Sequence, residues 1–130
     1  MPSAKILMID DDNDFVAATK VVLKTKGYEV YSAQNKEEGL EQIRQIMPDL
    51  IIMDVMMQKM SDGFDLSRKL KNDEKFKDIP ILILTSLGDR TGFKFSGESV
   101  DKLWLPVDDY AEKPLKPEEL LGKVEKLLSR

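Results

Sequence analysis

The sequence contains no cysteine and no histidine, and it has one tryptophan, three tyrosines and five phenylalanines among 130 residues. Without cysteine the chain forms no disulfide, no zinc–thiolate or iron–sulfur site and no cysteine nucleophile. Without histidine it has no Ser–His triad, no histidine metal site and no phosphohistidine of its own. Any chemistry must therefore use carboxylates, hydroxyls, lysines, arginines or the backbone.

Long hydrophobic segments are also missing, since no apolar run approaches the ~20 residues that a membrane span requires. The first residues lead directly into a strand-like segment and show no secretory signal. The net charge of −4 disfavours nucleic acid as a partner of this domain. We therefore expect a cytoplasmic protein that contacts neither membrane nor nucleic acid. Its length and its 42% apolar content are typical of one globular domain, expected to span residues 1–130.

Short apolar runs alternate with longer amphipathic stretches along the chain. The runs predicted as strands are Lys5–Asp10, Tyr28–Ala33, Asp49–Asp54, Pro80–Ser86 and Asp109–Lys113. Near-continuous apolar runs such as IIM and ILIL are typical of strands that are buried on both faces of a parallel sheet. The alternation predicts an α/β fold with a doubly wound, five-stranded parallel sheet.

Capping residues and apolar spacing predict the helices between these strands. Their predicted extents are about Asp14–Lys26, capped by Asp12; Lys36–Met47, capped by Asn35; a stretch that follows Gly63; and a stretch that begins at Pro117. One part of the chain breaks the pattern, because Gly88, Gly92 and Gly97 raise the cost of ordering residues 87–106 as a helix. We expect an irregular or shortened fourth helix there.

Polar residues of different kinds end four of the predicted strands. These residues are Asp10 with Asp11, Asp54, Thr85 and Lys113. If the strands are parallel, they converge on one crevice at the carboxyl edge of the sheet. Three carboxylates that share a small site favour a cation, and all-oxygen ligands suit Mg²⁺ or Mn²⁺. A metal beside a lysine and a hydroxyl makes an electrophilic clamp for a phosphoryl group, in which a carboxylate can be the nucleophile.

With these residues identified, the sequence resembles the receiver domains of two-component response regulators. The matching segments are KILMIDDD, GYEVYSA, PDLIIMDVMM, DGF, IPILILTS and DDYAEKPLKPEEL. Each segment is weakly specific by itself, but together they cover essentially the full chain. The resemblance implies a flavodoxin-like fold with strand order 2-1-3-4-5.

The resemblance also implies a metal site. Asp54 is the implied phosphoacceptor, and the implied ligands of Mg²⁺ are Asp11, Asp54 and the backbone carbonyl of Met56. Asp10 is implied to act on the metal through water.

The remaining implied roles concern the phosphoryl group and the signal. Thr85 is implied to donate a hydrogen bond to the phosphoryl group, and Lys113 is implied to pair with it. Thr85 and Tyr110 match the two switch positions of the family.

Some positions depart from the family pattern. Gln58 stands where the family usually has proline, and the loop from Asp54 to Gly63 is one residue longer than usual. Pro106–Val107 replaces the usual Gly-Ala, and the interval from Thr85 to Lys113 is longer than the family norm. The fourth helix and its surface are therefore not transferred to this chain.

The expected function is that of a phosphoacceptor receiver domain. Because the chain has no histidine, the donor must be the histidine of a partner kinase or phosphotransfer protein. The chain would catalyse only its own phosphorylation and dephosphorylation, and an output domain or partner protein would receive the signal. No output domain is visible in the sequence, which leaves a stand-alone receiver and a piece of a longer protein both open.

The sequence disfavours three other functions. A receiver-like interaction module that works without phosphorylation is disfavoured by the complete acidic cluster. A phosphatase with an aspartate nucleophile would want a second carboxylate two residues later, where Met56 stands. A flavodoxin is disfavoured because Asp10, Asp11 and Asp12 would repel a phosphate.

Overall fold

The computed structural model describes residues 3–54, 62–85, 108–112 and 116–129. The elements in chain order are β1 (Lys5–Ile9), α1 (Asn13–Lys24), β2 (Glu29–Ala33), α2 (Lys36–Ile46), β3 (Leu50–Asp54), α3 (Asp62–Lys71), β4 (Ile81–Thr85), β5 (Asp109–Glu112) and α4 (Pro117–Leu128). The expectations for Met56, Gln58, residues 87–106 and Lys113 concern positions outside the described residues.

The five strands form one parallel sheet in the order β2-β1-β3-β4-β5. This confirms the predicted fold class and strand order. The apolar runs of β1, β3 and β4 lie inside the sheet and are buried on both faces, as near-continuous hydrophobic strands require.

Alternate residues of each strand point to opposite faces and so supply two hydrophobic layers. Leu7 and Ile9 of β1 pack on the face that α2 and α3 cover, and Ile6 and Met8 pack on the face that α1 and α4 cover. The core therefore has a layer on each side of the sheet. None of the helices in the described ranges has the length and apolar character that a bilayer span requires.

Helix α1 begins as predicted but ends earlier than predicted. The carboxylate of Asp12 accepts a hydrogen bond from the N–H of Phe15 at 3.1 Å, which caps the helix. The sequence predicts that the helix ends at Lys26, but the N–H groups of residues 25–27 bond to carbonyls only three residues back. This tighter turn closes the helix at Lys24, and Gly27 then adopts a positive φ of 83° on the way into β2.

Helices α2, α3 and α4 deviate from the predicted bounds by a residue or two at most. Asn35 caps α2 through the N–H of Glu38 at 2.8 Å. The helix ends at Ile46 because Met47 turns into the left-handed region with φ of 47°. Helix α3 begins at Asp62 and thus includes Gly63, whereas α4 begins at Pro117 as predicted.

Gly39 allows α2 to lie unusually close to β1. A Cβ atom at this position would stand 2.6 Å from Cδ1 of Ile9, so that the side chain of Ile9 would have to shift to accommodate it. The glycine costs α2 about 1 kcal/mol of helix propensity relative to alanine. The close approach explains that cost, and it fixes the helix against the strand residue that directly precedes Asp10.

Candidate functional site

Two aspartates extend from adjacent strands at the carboxyl edge of the sheet. Asp54 is the last residue of β3, and Asp10 directly follows β1. Because Ile9 pairs with Met53 in the parallel register, the two carboxylates start from neighbouring positions. Asp10 and Asp54 are buried, with 2% and 6% of their surfaces exposed. The sheet therefore buries two acidic side chains side by side.

The turn after β1 is held by the side chain of Asp10. Its backbone N–H donates to the carbonyl of Ala33 at 3.0 Å, which continues the contact between β1 and β2. Its Oδ1 accepts a hydrogen bond from the N–H of Asp12 at 2.9 Å. Asp12 in turn caps α1, so the position of Asp11 between them is fixed while its side chain remains exposed.

The three carboxylates of Asp10, Asp11 and Asp54 form one cluster. One oxygen from each lies within 4.8 Å of the others. Like charges at this separation repel one another, and a cation between them removes the repulsion. The donor set is oxygen only and combines two buried carboxylates with one exposed carboxylate, which leaves a side open to water and a ligand.

The next strands bring Thr85 and Tyr110 toward this edge. Thr85 ends β4, one residue beyond Leu84, which pairs with Asp54. Tyr110 lies on β5 opposite Ile83 and is therefore two residues further from the edge than Thr85. Its ring is half-buried and packs against the hydrophobic layer under α2 and α3.

The structure thus gathers most of the residues predicted for the site. Asp10, Asp11 and Asp54 meet in one cluster, and Thr85 ends the strand next to Asp54. Met56 and Lys113 are predictions that lie outside the described residues.

A buried polar residue near the site was not predicted from the sequence. Ser67 of α3 is fully buried, and its hydroxyl donates to Sδ of Met53 at 3.7 Å. Met53 directly precedes Asp54, so this contact ties α3 to the acidic strand end. A serine among the apolar positions of α3 carries no sequence signal for such a contact, because its partner lies on another element.

Comparison with protein families gives one match that spans the chain. The model of the response regulator receiver domain matches residues 6–125. The DNA-binding dual master transcriptional regulator RpaA of Synechocystis is 36% identical over 126 residues, which are 97% of this chain and 49% of that protein. The chain spans about half the length of such relatives.

Solved structures show the same fold. A response regulator from Chloroflexus aurantiacus, described as putative in its structure report, superposes with a TM-score of 0.85 and 32% identity, covering 99% of this chain and 100% of that chain. The receiver domain of the sensor histidine kinase PA1611 from Pseudomonas aeruginosa superposes with a TM-score of 0.82 and 22% identity, with the same coverages of 99% and 100%. That domain holds a magnesium ion in its active-site cleft.

Proposed function

We propose that this chain, which belongs to the family of response regulator receiver domains, accepts a phosphoryl group on Asp54 and uses Mg²⁺ to do so. Receiver domains are signalling domains of two-component systems rather than enzymes in the usual sense. The observation that carries the proposal is the cluster of Asp10, Asp11 and Asp54, whose oxygens lie within 4.8 Å of one another at the carboxyl edge.

The described residues of the cluster fit a magnesium ion. Mg²⁺ binds oxygen ligands at about 2.0–2.1 Å, so two oxygens on one ion stand at most about 4.2 Å apart. The carboxylate oxygens lie within 4.8 Å of one another, so they would have to approach by less than about 1 Å to reach that spacing. Mn²⁺ accepts the same oxygen ligands and is the expected substitute. In the proposed site Asp11 and Asp54 would bind the ion directly together with the carbonyl of Met56, and Asp10 would act through water.

Asp54 is proposed as the nucleophile because it ends β3 and is buried except for 6% of its surface. One carboxylate oxygen attacks phosphorus of a phosphohistidine or of acetyl phosphate. The bond from phosphorus to the leaving nitrogen or oxygen breaks, and its electron pair departs with the leaving group. The bound cation supplies neutralising charge for the phosphoryl oxygens during transfer.

The other strands would supply the remaining contacts to the phosphoryl group. The hydroxyl of Thr85 is proposed to donate a hydrogen bond to a phosphoryl oxygen, supported by its position one residue past the partner of Asp54. Lys113 directly follows Glu112, the last residue of β5, and is proposed to pair with the phosphoryl group. Tyr110 lies on the neighbouring strand. It is proposed to change position when Thr85 moves toward the phosphoryl group.

The proposal extends to partners and domain organisation. The phosphoryl donor is proposed to be a histidine of a kinase or phosphotransfer protein, and it must lie outside residues 1–130, which contain no histidine. Residues 1–130 are proposed to be one receiver domain. The DNA-binding regulator RpaA of Synechocystis is about twice as long as the region that matches this chain. By analogy, the signal is proposed to pass to an output domain or to a partner protein.

The test is incubation with acetyl phosphate and Mg²⁺, read by intact mass. We expect one added phosphoryl group in the parent and none after removal of the ion with a chelator. Asp54→Asn is expected to prevent the addition, since the amide oxygen is a poor nucleophile.

Asp49→Asn is the matched control, because Asp49 also borders β3 but lies at its opposite end. This variant should be labelled like the parent. Full labelling of Asp54→Asn would contradict the assignment. No labelling of the parent by acetyl phosphate or by any phosphohistidine donor would favour an interaction module that works without phosphorylation.

A further inference from the structure

At the amino edge of the sheet two aspartates make the same pair of backbone contacts. Asp49 precedes β3; its N–H donates to the carbonyl of Lys5 at 2.7 Å, and its Oδ2 accepts from the N–H of Lys5 at 2.8 Å. Asp108 precedes β5; its N–H donates to the carbonyl of Ile81 at 2.9 Å, and its Oδ2 accepts from the N–H of Ile81 at 2.8 Å. Each aspartate thus pairs with the first residue of the neighbouring strand.

Only Asp108 also holds a lysine. Nζ of Lys71, the last residue of α3, donates to the same Oδ2 at 2.9 Å. It donates as well to the carbonyls of Lys77 at 3.1 Å and Ile79 at 3.0 Å. These contacts use all three hydrogens of the ammonium. We call the group of Lys71, Asp108 and the two carbonyls the Lys71 clamp.

The clamp is more shielded from solvent than the other ion pairs among the described residues of α3 and of the loop that follows it. The side chains of Lys71 and Asp108 are 21% and 18% exposed. By contrast, the pair of Arg68 with Asp65 is 52% and 51% exposed. A pair that is four-fifths buried and also bonds to backbone groups is worth more than an exposed pair, which contributes little.

The two aspartates precede strands that differ in the number of neighbouring strands with which they pair. β3 pairs with both β1 and β4, so its register is fixed from two sides. β5 has four residues and, in the described part of the sheet, pairs with β4 alone. Fewer strand contacts therefore fix the register of β5 than that of β3, and a slip by one residue would exchange the faces of the sheet on which Ala111 and Tyr110 lie.

We propose that the Lys71 clamp sets the register of β5 and thereby positions the end of this strand for phosphoryl transfer. The inference rests on the function proposed above. Tyr110 lies on β5, and Lys113 directly follows Glu112, the last residue of that strand. Lys71 and Asp108 are thus positioning residues at the opposite end of the strand. The metal carboxylates come from β1 and β3, so the clamp leaves the affinity for Mg²⁺ unchanged.

The experiment compares Asp108→Ala with Asp49→Ala, which removes the equivalent hydrogen bond between a carboxylate and a backbone N–H from a strand that is paired on both sides. Hydrogen exchange at the amides of residues 110–112 is expected to become at least about tenfold faster in Asp108→Ala, because Oδ2 no longer accepts hydrogen bonds from the N–H of Ile81 and from Nζ of Lys71. Labelling by acetyl phosphate at saturating Mg²⁺ should slow by about tenfold for the same reason. The dissociation constant for Mg²⁺ should stay within about twofold of the parent, a change of well under 1 kcal/mol.

Lys71→Met should reproduce both changes, and Asp49→Ala should produce neither. Asp108→Asn tests whether the effect of Asp108→Ala is due to general misfolding. Its amide oxygen can still accept hydrogen bonds from the N–H of Ile81 and from Nζ of Lys71, the two groups that donate to Oδ2 of Asp108. It should restore most of the labelling rate.

Three results would overturn the proposal: unchanged exchange at residues 110–112, an unchanged labelling rate despite faster exchange, or a loss of Mg²⁺ affinity in proportion to the loss of rate. A parent that is never labelled would overturn the proposed function instead. The exchange comparison would then still decide whether the clamp sets the register.

Discussion

The two edges of the sheet use the same residue type in opposite ways. At the carboxyl edge Asp10, Asp11 and Asp54 bring three like charges within 4.8 Å. At the amino edge Asp49 and Asp108 each accept a backbone N–H from the neighbouring strand, and Lys71 adds its positive charge to Asp108. One edge therefore holds charges that a ligand can stabilise, and the other holds charges that stabilise the fold.

The difference follows from the direction of the strands. In a parallel sheet every strand begins at one edge, where its first N–H groups need acceptors. Asp49 and Asp108 provide such acceptors without any ligand. Every strand ends at the other edge, where doubly wound folds bind their ligands. At that edge the carboxylates lie close to one another, in addition to any backbone N–H groups from which they accept hydrogen bonds.

The largest expected effect tests the carboxyl edge. Mg²⁺ at about 100 times its dissociation constant should raise the free energy of unfolding of the parent by about 2.7 kcal/mol. Asp11→Ala should remove most of that gain, because it deletes one of the carboxylates in the cluster. In the absence of the ion this variant should be at least as stable as the parent, since it relieves repulsion. Urea unfolding with and without Mg²⁺ measures both values.

Asp14→Ala is the control for that comparison, because Asp14 is an exposed acid in the first turn of α1 and lies outside the cluster. It should keep the full response to Mg²⁺. A parent whose stability does not respond to the ion would show that the cluster is not a metal site.

A second, smaller effect concerns the packing that holds Asp10 in place. Gly39→Ala should lower the free energy of unfolding by up to about 2 kcal/mol, because an overpacking penalty of about 1–3 kcal/mol opposes the gain of about 1 kcal/mol in helix propensity. The new methyl group would meet Cδ1 of Ile9 at 2.6 Å. Thermal or urea unfolding gives the difference.

The partner variant Ile9→Val removes that Cδ1 atom, so the double variant should be less destabilised than the sum of the two single variants. Gly122→Ala is the matched control on α4, where an added Cβ meets nothing within 4 Å. It should be neutral or stabilising. Equal effects at both glycines would refute the close approach of α2 to β1.

A third effect tests the amino edge. Asp49→Ala should cost about 1 kcal/mol of unfolding free energy, the usual net value of one hydrogen bond, here to the N–H of Lys5 at 2.8 Å. The loss should be the same with and without Mg²⁺, because this edge is remote from the acidic cluster. Urea unfolding under both conditions measures the loss. A loss that depends on Mg²⁺ would contradict the claim that the amino edge stabilises the fold independently of the ion.

The smallest effect concerns Tyr28, which directly precedes β2 at the amino edge. Burial raises the pKa of Tyr28 above its ordinary value of 10.0, and the negative charge of Glu125 raises it further. Because the folded pKa is the higher one, this contribution to stability is complete below about pH 10 and is lost as the pH rises through the folded pKa.

Glu125→Gln should lower the pKa of Tyr28 but leave it above the ordinary value, since burial remains. The ultraviolet absorbance of the phenolate, with Tyr28→Phe to identify the signal, measures the shift. An unchanged titration in Glu125→Gln would show that the carboxylate does not act on the ring.

Much of the fold and the acidic part of the site followed from local patterns. The apolar runs placed β1, β3 and β4, and the residues Asp12 and Asn35 capped the predicted helices. The exact helix ends were less predictable. The early end of α1 depends on three-residue hydrogen bonds, and the end of α2 depends on the left-handed backbone of Met47, neither of which has a strong sequence signal.

By itself the sequence placed the ends of the strands to within a residue, because an apolar run depends only on neighbours along the chain. It therefore predicted that Asp10, Asp11 and Asp54 would meet. Only the tertiary structure decided that Gly39 lies against Ile9 and that Lys71 holds Asp108, a residue 37 positions further along the chain. Such pairs form between residues on different elements, and no local pattern records which distant partner a side chain will reach once the sheet and helices have packed.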